Sequence, residues 1–162
     1  SWPEQAKQEI KTLKNVLPEK LLQGIEHIGS TSISGVSAKA IIDIQAVTKD
    51  FNKLKPLAIE ALKKLNYVFW DENPDAEHLF FVKGMPPYGD KRTHHVHIFN
   101  ECSPKWKKKL IFRDYLRVHS EVANDYEKLK RNLATQHKYD RELYTQEKGE
   151  FVKNVLNKVV DT

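Results

Sequence analysis

His95 and His97 stand one residue apart in the run Thr93-His94-His95-Val96-His97-Ile98-Phe99, a stretch whose β-branched and aromatic content predicts a strand. Alternation along a strand then puts His95 and His97 on one face and Val96 and Ile98 on the other. The same argument applies to Ile41-Ile42-Asp43-Ile44-Gln45-Ala46-Val47, where Asp43 and Gln45 share a face opposite Ile42, Ile44 and Ala46. One carboxylate and two imidazoles, facing the same way on one sheet, have three kinds of chemistry open to them. They can chelate a divalent metal, zinc through the imidazoles or magnesium or manganese through Asp43. The histidines can bond a phosphate or serve as general acid and base, because an ordinary imidazole titrates near neutral pH. Or they can be structural histidines bonded to nearby backbone.

Just before the Asp43 strand lies Gly29-Ser30-Thr31-Ser32-Ile33-Ser34-Gly35-Val36-Ser37-Ala38-Lys39, with two glycines, five hydroxyl side chains and a lysine. Glycines let a backbone turn its N–H groups toward an anion, hydroxyls donate to phosphate oxygens, and Lys39 supplies positive charge. The segment is thus expected to cradle phosphate through Gly29, Ser30, Thr31 and Lys39, with Gln45 and Arg92 as further ligand contacts. Its spacing is neither that of a Walker loop nor that of a dinucleotide fingerprint. A histidine-triad hydrolase is excluded as well, since Thr93 occupies the first of its three alternating positions.

The elements that must hold these residues follow from periodicity. Helices are expected from Pro3 to Leu17, from Phe51 to Leu65 with its true start near Lys55 so that Pro56 falls in the first turn, and from Pro104 to about Ala134 with a break at His119-Ser120 capped by Ser120. A last helix runs from about Asp140 to Val160. Strands are expected at Gly24 to Ile28, Ile41 to Thr48, Tyr67 to Trp70, His78 to Lys83 and Thr93 to Phe99. The order of elements predicts an α+β class: a mixed β-sheet with helices packed on one face, in a single domain over 1–162 with a C-terminal helical extension from about 104.

Three separated stretches resemble the GrpB family: His27-Ile28-Gly29-Ser30-Thr31-Ser32 followed by Gly35, Lys39 and Ile42-Asp43-Ile44; Arg92-Thr93-His94-His95-Val96-His97; and Phe112-Arg113-Asp114-Tyr115-Leu116-Arg117 with His119. The resemblance implies a polymerase-beta-like nucleotidyltransferase fold, in which a Gly-Ser at a strand end grips nucleotide phosphates and an Asp-x-Asp strand binds divalent metal. Gln45 stands where the second carboxylate of that pattern would be, and a neutral amide is a poorer magnesium ligand. The carboxylates left to replace it are Glu26, Asp71, Asp90 and Glu101. The expected function is therefore phosphate or nucleotide recognition, with phosphoryl or nucleotidyl transfer at Asp43, His95 and His97, or alternatively a non-catalytic binding or regulatory module on the same scaffold.

Composition narrows the partners. The 162 residues carry 27 basic and 22 acidic groups with 40% hydrophobic residues, which suits a folded domain and excludes a disordered chain. No apolar run approaches the ~20 residues of a membrane span. One cysteine, Cys102, forms no internal pair, so a reducing cytoplasm is expected. The chain opens on Ser1, its only methionine being Met85, so a native start upstream is expected; no secretion signal is recognisable. Nucleic acid stays open as a partner through Lys105 to Lys109 around Trp106, although Lys-Glu mixtures on helices ordinarily form solvated faces.

Overall fold

The structure, a computed structural model, describes residues 1–36, 40–136 and 141–160. Helix α1 (Trp2–Val16) opens with Pro3 in its first turn and buries Ala6 and Leu13, as a 3.6-residue period requires. It leads to β1 (Gly24–Ile28), β2 (Ile42–Thr48), α2 (Phe51–Lys64), β3 (Tyr67–Phe69), β4 (His78–Lys83) and β5 (His94–Asn100). Three helices follow: α3 (Lys105–Val118), α4 (Ser120–Gln136) and α5 (Arg141–Val160). The five strands form one sheet in the order β1-β2-β5-β4-β3, with β2 and β5 parallel and every other pair antiparallel. The sheet is mixed, and the class is α+β, as the alternation of elements predicts.

One face of the sheet is covered by α1 and α2. Ile42, Ile44 and Ala46 of β2, Val96 and Ile98 of β5 and Leu79 and Phe81 of β4 pack there against Ala6, Leu13, Leu54, Ala58 and Leu62. Helix α2 departs from expectation at its start, which is Phe51 and not Lys55, so Pro56 lies in the second turn. The carbonyl of Asn52, which Pro56 cannot satisfy, stands with it on the exposed side, where water can serve it. Leu57 is 47% exposed, whereas Ala58 is buried. The later break also shifts by one residue. His119 is the cap, its carbonyl accepting the N–H groups of Val122 and Ala123, while Ser120 begins α4.

On the helix-covered face the sheet edge carries a satisfied buried carboxylate. Glu9 accepts from the Tyr67 hydroxyl at 3.1 Å and from Lys83 Nζ at 3.1 Å, with His94 Nε2 at 3.5 Å. Burial, then the charge and hydrogen bond of Glu9, push the Tyr67 phenol above its ordinary range, and burial lowers the imidazole of His94. His94 is therefore on the opposite face from its neighbours His95 and His97.

The chain divides into two compact units, Ser1–Ser32 with Ala38–Trp106, and Ile33–Ser37 with Lys107–Thr162. The first holds the sheet with α1 and α2. The second has its own apolar cluster of Ile33, Val36, Leu116, Ala123, Tyr126 and Val155, in which the Tyr126 ring lies 5.2 Å from Phe112 and 5.3 Å from Phe151. No helix among the described residues is long and apolar enough to cross a membrane.

Candidate metal and phosphate site

The register of the parallel pair β2–β5 sets Asp43 opposite His95 and Gln45 opposite His97, all on the face away from α1 and α2. Side chains directly opposite in a sheet lie about 5 Å apart at Cβ, close enough for the three to converge. His95 Nδ1 lies 3.2 Å from Asp43 Oδ1, and His97 Nε2 lies 3.6 Å from the same oxygen. One ligand atom from each of Asp43, His95 and His97 can be chosen so that all lie within 4.8 Å of one another. Burial works against ionisation of Asp43, but hydrogen bonds from His95 and His97 outweigh it and hold the carboxyl well below the usual range. Among the described residues His95 Nε2 is buried with no hydrogen-bond partner.

Strand β4 brings a residue that the spacing did not single out. His78 Nε2 lies 2.9 Å from His97 Nδ1, and Asn73 Nδ2 lies 3.2 Å from His78 Nδ1. Phe80, on the same face of β4, stacks on His97 with centroids 4.8 Å apart and stands edge-on to His95 at 5.1 Å. The alternation of His78, Phe80 and Val82 against Leu79 and Phe81 marks this face, but only the antiparallel register reveals that His78 reaches His97.

The segment expected to cradle phosphate follows directly from β1. Gly29 has φ +76°, and a Cβ there would fall 2.8 Å from Asp43 Oδ2, so the bend at the end of β1 sits directly against the carboxylate. Ser30 opens the one-turn helix Ser30–Ser32 and is half-buried. Thr31 is buried, and its Oγ1 lies 2.7 Å from His27 Nε2, which ties the hydroxyl into the fold. Ser32 Oγ donates to the carbonyl of Gly29. Lys39 lies outside the described residues. Arg92 is exposed on the segment entering β5.

Gln45 is placed differently from a ligand contact. It is 2% exposed, its Nε2 donates to the carbonyl of Trp106 at 3.1 Å, and its Oε1 is buried without a partner among the described residues. Of the carboxylates considered as substitutes, Glu26 alone lies in register with Gln45, on the same face. Asp71, Asp90 and Glu101 are exposed. Lys105, from the basic cluster, pairs with Asp75 at 2.6 Å.

Gly29 allows a test of the bend. Gly29→Ala is expected to cost about 1–2 kcal/mol from the left-handed backbone alone and also to push Asp43 aside. Gly35, at φ +81° with open space around it, carries the backbone cost without the collision. Thermal melts of both variants should therefore fall, and Gly29→Ala should fall further than Gly35→Ala.

A mixed sheet with two helices on one face and Asp43 on the other defines a nucleotidyltransferase-like fold. The poly(U) polymerase Cid1 superposes with a TM-score of 0.54 at 13% identity, over 83% of this chain and 41% of its own. This likeness concerns the fold. The chain itself belongs to the GrpB family, whose pattern, described as GrpB protein, matches residues 1–158. The crystal structure of conserved protein GrpB from Enterococcus faecalis matches with a TM-score of 0.82 and 31% identity, over 98% of this chain and 94% of that one. A UPF0157 protein of Pseudomonas aeruginosa is 40% identical over 160 residues, 99% of this chain, and the glutamate-rich protein GrpB of Alkalihalophilus pseudofirmus is 30% identical over 98% of it and 91% of its own length. The chain spans 64% of the Pseudomonas protein and 43% of the UPF0157 protein YqkA of Bacillus subtilis.

Proposed function

We propose that the protein recognises a phosphate-bearing small molecule, a nucleotide foremost, beside one divalent metal held by Asp43, His95 and His97. The observation that carries this reading is the convergence of one carboxylate and two imidazoles whose ligand atoms lie within 4.8 Å of one another. The donor set decides which metal. Two imidazole nitrogens with one oxygen suit zinc or manganese, whereas a magnesium pair needs several carboxylates and the position two residues on is Gln45, bound to backbone. Bound there, the metal would supply a Lewis acid for phosphate oxygens. The protein's own part is to hold Asp43 ionised, to keep the imidazoles oriented through Phe80 and His78, and to offer the Gly29–Ser30 bend beside them. That Cid1, of the same fold, has been seen with MgATP supports a nucleotide as the ligand class.

The tethered Gln45 favours a second reading, a binding or regulatory module without transfer. One experiment separates the two. Melting temperature is followed with zinc, manganese or magnesium chloride, with and without ATP, and pyrophosphate release is assayed in parallel. Zinc or manganese should stabilise the protein more than magnesium, and ATP should add stabilisation only when metal is present; saturation at about 100-fold above Kd corresponds to about 2.7 kcal/mol. Pyrophosphate release assigns nucleotidyl transfer, and stabilisation without it assigns the binding module. No shift with any metal overturns the metal centre.

A further inference from the structure

We propose that Asn73 and His78 are positioning residues that lock His97 in its Nε2–H form, so that the ring offers Asp43 a proton and not a lone pair. The functional consequence rests on the metal-centre reading above; the lock itself rests on geometry. It begins with the amide of Asn73, whose orientation two bonds dictate. Its Oδ1 accepts the N–H of Asp75 at 3.0 Å, and its Nδ2 donates to the carbonyl of His78 at 3.1 Å. An amide nitrogen carries two hydrogens and no acceptor. The second hydrogen faces His78 Nδ1 at 3.2 Å, so that ring nitrogen must present its lone pair.

The rest of the chain follows by elimination. A neutral His78 with a bare Nδ1 carries its proton on Nε2, which lies 2.9 Å from His97 Nδ1. His97 Nδ1 must accept, leaving the His97 proton on Nε2, 3.6 Å from Asp43 Oδ1. Three donors thus run in series from the loop before β4 to the carboxylate. Across from them, His95 also donates to Asp43 through Nδ1, the carboxylate being ionised. The other His95 nitrogen has no partner among the described residues, so only Asp43 sets the form of that ring. The two histidines therefore differ: His95 can exchange its proton for a metal locally, whereas His97 can do so only by reversing the whole series and turning the Asn73 amide out of its two bonds.

Reversing one atom type should reverse the series. In Asn73→Asp the carboxylate still accepts from Asp75 N–H, loses the bond that Nδ2 donates to the His78 carbonyl, and now accepts from His78 Nδ1. His78 Nε2 then accepts from His97 Nδ1, and the His97 Nε2 lone pair faces Asp43 and any cation beside it. Outer partners of metal-binding histidines alter affinity by about 10–100-fold. The full chain is labelled with 15N-histidine, and long-range proton–nitrogen correlation spectra report which nitrogen of His97 holds the proton, while zinc chloride titrations report affinity. Wild type should show the Nε2–H form, Asn73→Asp the Nδ1–H form with zinc bound at least about tenfold more tightly. Asn73→Ala, which breaks the series without adding charge, should give a mixture of forms and an affinity between the two. An Nδ1–H form in wild type, or an unchanged form in Asn73→Asp, overturns the lock. A form that switches as expected while neither protein binds zinc sustains the lock and overturns the metal centre instead.

Discussion

Asp43→Asn should abolish metal-dependent stabilisation while leaving the fold in place. Asparagine keeps the shape of the side chain, and its single carbonyl oxygen can replace Oδ1, the atom that both His95 Nδ1 and His97 Nε2 approach, at 3.2 and 3.6 Å. What it removes is the charge. An uncharged amide between two imidazoles is a poor ligand for a divalent ion, and since outer partners alone are worth 10–100-fold in affinity, losing the central ligand should cost on the order of 100-fold or more. Calorimetric titration with zinc chloride measures this, and an affinity equal to wild type would remove Asp43 from the centre. The pH dependence of stability gives a second measure. Although burial opposes its ionisation, hydrogen bonds from His95 and His97 hold the Asp43 carboxyl well below its ordinary range. A depressed carboxyl stabilises the fold above its unfolded value near ~4 and loses that contribution as pH falls through the folded value. Urea denaturation of wild type and Asp43→Asn should therefore differ most near neutral pH, the gap closing as pH drops below about 4.

How far such a centre can be read from sequence depends on which contacts are local. Alternation along β2 and β5 is local, and it correctly separates Ile42, Ile44, Val96 and Ile98 from Asp43, His95 and His97. Sheet order is not. That β5 lies beside β2 in parallel, with Asp43 opposite His95, is imposed by the crossover through α2, β3 and β4, and nothing in either strand encodes the register. His78 escaped notice for the same reason: its partner His97 is 19 residues beyond it and reached only through antiparallel pairing, and Asn73 joins the site only through His78. Thr31 shows a different limit. A hydroxyl in a Gly-Ser-Thr-Ser bend is read equally well as a phosphate donor or as a tie to nearby side chains, and here His27, four residues back on β1, takes it. Pro56 illustrates the converse, a local rule overridden because the carbonyl it orphans belongs to an exposed residue.

Gln45 is where the family's implied chemistry and this chain's packing pull apart, and it yields the prediction of largest effect on stability. Gln45→Glu restores, on paper, the second carboxylate of a two-metal strand. In the fold it places a carboxylate at a side chain 2% exposed, where the present Nε2 donates to the Trp106 carbonyl. The glutamate would set oxygen against oxygen and leave a charge without a partner, a situation that costs about 3–5 kcal/mol. For a chain of 162 residues this corresponds to a fall in melting temperature of roughly 6–20 °C. The carboxyl can escape by taking up a proton, so its folded pKa is raised. The deficit against wild type should then be greatest at neutral pH and shrink as pH falls toward ~4, the ordinary value of an unfolded glutamate. Gln45→Met provides the control: it forfeits the bond to Trp106 but also removes the unpartnered Oε1, and should change stability by about 1 kcal/mol or less. A Gln45→Glu protein that melts with wild type and gains a second metal equivalent would show that position 45 can face the site, and that the tether to Trp106 is dispensable. The buried amide makes the opposite case: at this position the side chain makes a structural bond to the Trp106 carbonyl, and the proposed centre consists of Asp43 and the two imidazoles beside it.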